Sequence, residues 1–200
     1  MFHATSRSFR DGSNLRMPIP LIETPRLIIR DVQASDVDGL FRYMQQEPYW
    51  RDVPIEQPTV QSITALVNAS LQDQAKQPRT GHFLVAVEKR LQIVIGEAIL
   101  HVRSLCWGQG EIGWGVSATH TGQGLATEIG IAMLDLAFGT LELHRVYAQC
   151  RVENHASRRI MTKIGMCEEG ILRENVLARG AWWSSIQCSI LAHERTVRIS

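Results

Sequence analysis

Apolar positions in this chain recur in two rhythms, every second residue or every third to fourth, and the alternation divides it into strands and helices. Residues 26–30 read as a first strand. Ser35 is placed to cap a helix carrying Val37, Leu40, Phe41 and Met44 on one face. Pro48, Pro54 and Pro58 interrupt the next stretch, after which Thr59 caps a second helix bearing Ile63, Leu66, Val67 and Leu71. Residues 83–88 and 93–102 read as adjacent strands, and 111–116 as another. Beyond a glycine turn, Leu125, Ile129, Ala132, Met133 and Leu136 follow helical spacing. Residues 146–150 form a buried strand. A further helix carries Ala156, Ile160 and Ile164 four apart, with Asn154 as N-cap and Gly165 just past its end. Strands at 167–172 and 185–191 close the pattern. The β-α-β-α run inside a strand-rich chain predicts an α/β domain of three layers, with a mixed sheet between helices.

The turn between strand 111–116 and its helix carries the most chemistry. Gly122 and Gly124 let the chain bend tightly and let an anion approach with no Cβ in the way. The helix start at Leu125, Ala126 and Thr127 offers backbone N–H groups to a phosphate. No Lys-Ser or Lys-Thr pair follows, so this is not a nucleotide P-loop. Thr127 stands where a dinucleotide fingerprint needs its third glycine. Taken singly, the Gly-x-Gly turn is equally a plain strand-to-helix turn.

Composition narrows the classes. Two hundred residues at 44% hydrophobic supply one sizeable core. A net charge of +1 leaves no electrostatic footprint for nucleic acid or membrane, and no apolar run reaches a bilayer span. Cys106, Cys150, Cys167 and Cys188 form no C-x-x-C pair and read as reduced, buried thiols of a cytoplasmic protein. His101, His120 and His144 share no metal-ligand spacing, so no metal is implied. Residues 1–16, rich in Ser, Arg, Gly and Asn, read as a flexible extension, ranked above a transit peptide. Residues 17–200 then form one domain.

Six stretches in fixed order resemble the GNAT superfamily of acetyl-CoA-dependent N-acetyltransferases, and most closely its Rim-type ribosomal-protein N-terminal acetyltransferase branch. They are Glu23-Thr-Pro-Arg-Leu-Ile-Ile-Arg30, Glu111-Ile-Gly-Trp114, Thr121-Gly-Gln-Gly-Leu-Ala126, Leu143-His-Arg-Val146, Glu153-Asn-His-Ala-Ser157 and Lys163-Ile-Gly-Met166. The resemblance implies a mostly antiparallel sheet of about seven strands, splayed at its centre, with acetyl-CoA in the wedge. It implies that the turn from Thr121 through Gly122, Gln123 and Gly124 holds the CoA pyrophosphate. The family usually opens that turn with Arg or Gln, so with Thr121 the grip leans on backbone N–H groups, with Gln123 and Thr127 as further donors. Val116 would contact the pantetheine and donate an N–H to the thioester oxygen. Ser157 matches the serine that the branch sets beside the sulfur, and Asn154 would orient the same end. Cys188 occupies the position that looks equivalent to a tyrosine acid of some relatives, so that role does not carry over.

The resemblance makes the acceptor an amine, which must lose a proton before it attacks. For an N-terminal amine (pKa about 7.7–8.0) this costs roughly 1 kcal/mol at pH 7, against roughly 4.6 kcal/mol for a lysine near 10.4. A modest base therefore suffices for a protein N-terminus or a small amine. Glu111 at the start of its strand and Glu174 beyond residues 167–172 are the candidates, each equally readable as a solvated strand-end charge. Tyr49, Trp50, Trp182 and Trp183 flank the acceptor entrance as a wall, as core packing or as a homodimer contact, with packing preferred for Trp182. No acidic cluster marks the acceptor side. Two functions remain open: an active N-acetyltransferase, or a silent acyl-CoA-binding domain of the same fold.

Overall fold

The computed structural model describes residues 19–195. The extension expected over residues 1–16 lies outside them. Eight strands make one sheet in the order β1-β2-β3-β4-β5-β6-β8-β7. They are β1 (Ile22–Glu23), β2 (Leu27–Asp31), β3 (Gly81–Glu88), β4 (Ile93–Ser104), β5 (Gln109–Val116), β6 (Arg145–Arg151), β7 (Cys167–Ala178) and β8 (Ala181–Leu191). All neighbours run antiparallel except β5 and β6, which run parallel. The expected sheet of about seven strands gains one: β1, two residues long, is too short to show a period.

Alternation along the central strands explains the layers. On one face Leu84, Ala98, Leu100, Ile112, Val146, Ala148 and Ile186 meet Leu125, Ile129 and Met133 of α4 (Leu125–Asp135) and Met161 of α5 (His155–Lys163). On the other, Val85 and Val87 meet Leu40, Tyr43 and Met44 of α1 (Val37–Met44) and Ile63 and Val67 of α3 (Val60–Gln74). Each fully buried Leu or Ile contributes about 1.5–3 kcal/mol, so the mixed sheet is sandwiched by two apolar interfaces rather than by chance contacts.

Local chemistry sets the helix ends. Thr59 Oγ1 accepts from Ser62 N while Ser62 Oγ accepts from Thr59 N, a reciprocal cap. Ser35 does not cap α1. It lies in a single tight turn, Ala34–Asp36, where buried Asp36 accepts from Gln33 N and is held bidentately by Arg30. Pro48 enters the first turn of the short α2 (Glu47–Trp50), where its missing N–H costs nothing. Gly165 follows α5 with φ 95°, the left-handed residue its position calls for. The last described element is α6 (Ala192–Arg195). No helix among the described residues is long and apolar enough to cross a membrane.

The last hairpin departs most from the sequence pattern. β7 runs on to Ala178 through two register shifts, and the chain reverses at Arg179 and Gly180, both at positive φ. Trp182 and Trp183 therefore lie inside β8, not in the turn before it. Trp183 packs, but Trp182 is 60% exposed, opposite to the expectation that it is a packing residue.

Candidate active site

Parallel pairing between β5 and β6 covers only Gln109↔Arg145, Gly110↔Val146 and Glu111↔Tyr147. Beyond it β5 stays paired with β4 through Gly96↔Val116, while β6 stays paired with β8 through Arg151↔Ser185. The facing edges of residues 112–116 and 148–151 thus part into a wedge, and their backbone groups need a partner from outside. Both strands run toward the open end, so α4 and α5, which follow them, begin at its mouth.

At the α4 start, Gly122 and Gly124 take φ 76° and 80°. A Cβ at Gly122 would meet nothing within 4 Å, so the turn is bare on its outer side. Among the described residues no side chain caps α4, which leaves the N–H groups near Leu125, Ala126 and Thr127 for an anion. Thr121 donates its hydroxyl inward to Ala118 O at 2.9 Å. The cation at this turn comes instead from the residue before β2: Arg26 donates to Gln123 O at 2.7 Å while pairing with Glu128 at 2.6 Å. Burial opposes the charge on Glu128, but bonds from Thr24 and Arg26 outweigh it and hold its pKa below the ordinary value. A cavity of about 170 Å³ beside the turn is lined by Arg26, Glu88, Arg90, His120 and Gln123, among others.

At the α5 start, Asn154 Oδ1 accepts from Ser157 N at 2.9 Å, closing the cap. Ser157 is half-buried, and the neighbouring Cys150 thiol donates to Asn154 O at 3.8 Å. Burial pushes that thiol up to about 11, with Ser157 pulling the other way. Cys188 is buried as well, whereas Cys106 and Cys167 are exposed, so two of the four thiols differ from the buried state expected of them.

The two candidate bases are not brought together. Glu111 sits at the closed vertex, where its Oε2 takes Arg103 at 2.6 Å and the Tyr147 hydroxyl at 3.3 Å. Glu174 is exposed on β7, with φ 46° inside a bulge and its N–H given to Ser184 Oγ. β6 and β8 lie between their strands. Glu174 is thus within a strand that continues past it, not beyond a strand ending at 172.

Three features escaped sequence reasoning. Glu97 on β4 is 3% exposed and accepts from Tyr43 and, at 2.8 Å, from Tyr49. Arg179 at the hairpin tip binds the carbonyls of Trp50, Arg51, Val53 and Ile55, and its guanidinium lies over Trp50 and Trp183 at 5.4 and 4.5 Å. Arg26 is the third. For Glu97 there was a signal: one charge amid the apolar run of residues 93–100, facing a strand with glycines at 113 and 115. Gly115 is small because a Cβ there would overlap the Glu97 carboxylate, whereas a Cβ at Gly113 would meet only Ile99, at 3.9 Å. Among the described residues no three His, Cys, Asp or Glu side chains gather as a metal site.

A parted sheet with two helix starts at its mouth defines an acyl-CoA-type transferase fold, and comparison gives the family. A family profile described as an acetyltransferase (GNAT) domain matches residues 26–167, and the chain belongs to that family. It is similar to the uncharacterised N-acetyltransferase YnaD of Bacillus subtilis, at 29% identity over 86% of this chain and 98% of that protein. A GNAT-family acetyltransferase structure from Bacillus anthracis superposes with a TM-score of 0.76 at 25% identity, covering 87% of this chain and 99% of that one. Mycobacterium smegmatis RimJ, solved in complex with CoA-disulfide, shares the fold with a TM-score of 0.73 at 22% identity, covering 86% of this chain and 88% of that one.

Proposed function

We propose that this protein seats acetyl-CoA in the β5–β6 wedge and transfers its acetyl group to a primary amine, at a protein N-terminus or on a small molecule. The observation that carries this reading is the loss of pairing after Glu111↔Tyr147, with two helix starts opening onto the gap. Acetyl-CoA is the co-substrate. The turn from Thr121 to Thr127 suits its diphosphate, since bare amides and positive-φ glycines admit a bulky anion. Arg26 supplies the nearby cation that Thr121 does not. The unpaired edge near Val116 can bond the amides of the pantetheine arm, and an N–H there would stabilise the oxyanion as the amine attacks. That RimJ was solved with CoA-disulfide supports this use of the fold.

Asn154 and Ser157 take the sulfur end. The Asn154 side chain is spent on its cap, so its part is to fix the α5 start, and through it the Ser157 hydroxyl, which can bond the departing thiolate. Glu111 and Glu174 are candidate proton acceptors only, each able to act through water. Glu111 lies on β5 at the closed end of the wedge, and Glu174 is reachable from solvent.

Calorimetry with CoA and acetyl-CoA tests the first half, and thiol release across a panel of peptides and amines tests the second. Ser157→Ala and Asn154→Ala are expected to lower kcat at least tenfold in folded protein. Asn154→Ala also forfeits about 1 kcal/mol of cap. Unchanged turnover in both would remove them from the chemistry. Binding without thiol release from any acceptor would make this a silent acyl-CoA-binding domain instead.

A further inference from the structure

Glu97 stands in the middle of β4, where an unpaired carboxylate is strongly disfavoured. The side chains acting on its charge are two phenols, not a cation: Tyr43 donates to Oε2 and Tyr49 to Oε1, and its own backbone N–H adds to them. Their rings meet edge to face, with centroids 5.5 Å apart. Neighbouring strands offer only Val85 on β3 and Gly115 on β5 as its register partners. Because a Cβ on Gly115 would overlap this carboxylate, Glu97 lies flat on the β5 backbone, one residue short of Val116 and beside the parted edge. Glu111 sits four residues back along β5, roughly 13 Å away at 3.3 Å per residue.

Tyr43 is buried, whereas Tyr49 on α2 is half-buried, in the segment that the resemblance sets at the acceptor entrance. A proton can therefore enter this group by one door. An anchor between helix and sheet alone would be served as well by apolar side chains of similar size, which makes a carboxylate with two phenols an uneconomical clasp.

Resting on the acetyl-transfer reading above, we propose that Tyr49 is the group that takes the proton the acceptor amine must lose, with Glu97 behind it as the positioning residue that receives the charge. One N–H bond of the ammonium breaks, and its proton passes to the Tyr49 oxygen as the phenol's own proton passes to Glu97. The freed lone pair forms the C–N bond with the thioester carbonyl carbon, and the C–S bond breaks. Glu97 returns its proton through Tyr49 to the departing thiolate, while the second ammonium proton leaves to water. The balance is ammonium plus thioester to amide, thiol and one proton.

Burial lifts the Glu97 carboxyl above its ordinary value against the pull of both phenols, and it lifts both phenols well above 10 with the carboxylate adding to the effect. That gives a test without turnover. The chain has three tyrosines, so alkaline titration of tyrosinate absorbance on folded protein should show Glu97→Gln moving two of them to lower pH. In turnover with saturating acetyl-CoA and a free-amine peptide, the unsubstituted protein's kcat should level off with pH. Glu97→Gln should lose roughly tenfold at pH 7 and instead climb with pH toward the amine's own pKa, because only pre-deprotonated acceptor then reacts. Tyr49→Phe leaves Tyr43 on Glu97 and should lose at least tenfold, with the same climbing profile. CoA affinity by calorimetry should stay within twofold in both. A loss equal at every pH, or a kcat kept within twofold, overturns the proposal. No thiol release by the unsubstituted protein overturns the acetyl-transfer reading itself, and this proposal with it.

Discussion

Among the described residues, His82 has no hydrogen-bond partner on either ring nitrogen, though it is only 1% exposed. Burial pushes its imidazole from 6.5 down to about 4, the Arg79 guanidinium pushes the same way, and Asp31 opposes both. The folded protein therefore holds a neutral ring where the unfolded chain takes up a proton. Its contribution to stability is present above pH 6.5 and drains away as pH falls toward 4. A shift of that size is worth about 3 kcal/mol. Urea midpoints should drop more steeply between pH 7 and 4.5 for the unsubstituted protein than for His82→Leu. Parallel drops would absolve His82. Cys150, lifted to about 11, behaves as an apolar residue at neutral pH, so alkylation of folded protein should reach Cys106 and Cys167 and spare it.

The β7–β8 hairpin does more than close the sheet. Arg179 sits at φ 49°, a region costing a non-glycine residue about 1–2 kcal/mol, and its guanidinium reaches four carbonyls, one on the last residue of α2 and three in the segment after it. That fork ties the hairpin tip to the end of α2 and the loop that follows it. Arg179→Gly relieves the backbone but frees the segment, and a net loss of about 2 kcal/mol would lower Tm by roughly 4–8 °C. Acceptor KM should rise while CoA affinity holds. Arg179→Lys, with a charge but no fork, should fall between. An unchanged Tm and KM in Arg179→Gly would show that the segment is held by other means. Element by element, the sequence foretold α4 and α5 with their apolar stripes, and the Thr59 and Asn154 caps, because those signals act over one or two turns. Ser35 misled because Arg30, on a different element, recruits Asp36 into a separate turn. The far half of β7 was hidden because two bulges break the period of two.

Whole-molecule stability should follow ligand by mass action. At a hundred times Kd, acetyl-CoA would add about 2.7 kcal/mol, raising Tm by roughly 5–11 °C. Gly124→Val, forced to positive φ, should lose most of that increment at the same ligand concentration. A full increment in the variant would relocate the anion seat.

Hydrophobic period, glycine placement and helix-start chemistry determined the three-layer architecture, the bare turn at residues 122–124 and the helix opening at Asn154, since each is a property of neighbours along the chain. The tertiary structure alone decided which distant groups meet. Arg26 reaches Gln123 across 97 positions, and Glu97 meets Tyr43 and Tyr49 across 54 and 48. It also separated Glu111 from Glu174 by two strands. Such encounters depend on strand order and register, which close loops far longer than any local pattern can span, so the identity of a charge is legible in sequence while its partner is not.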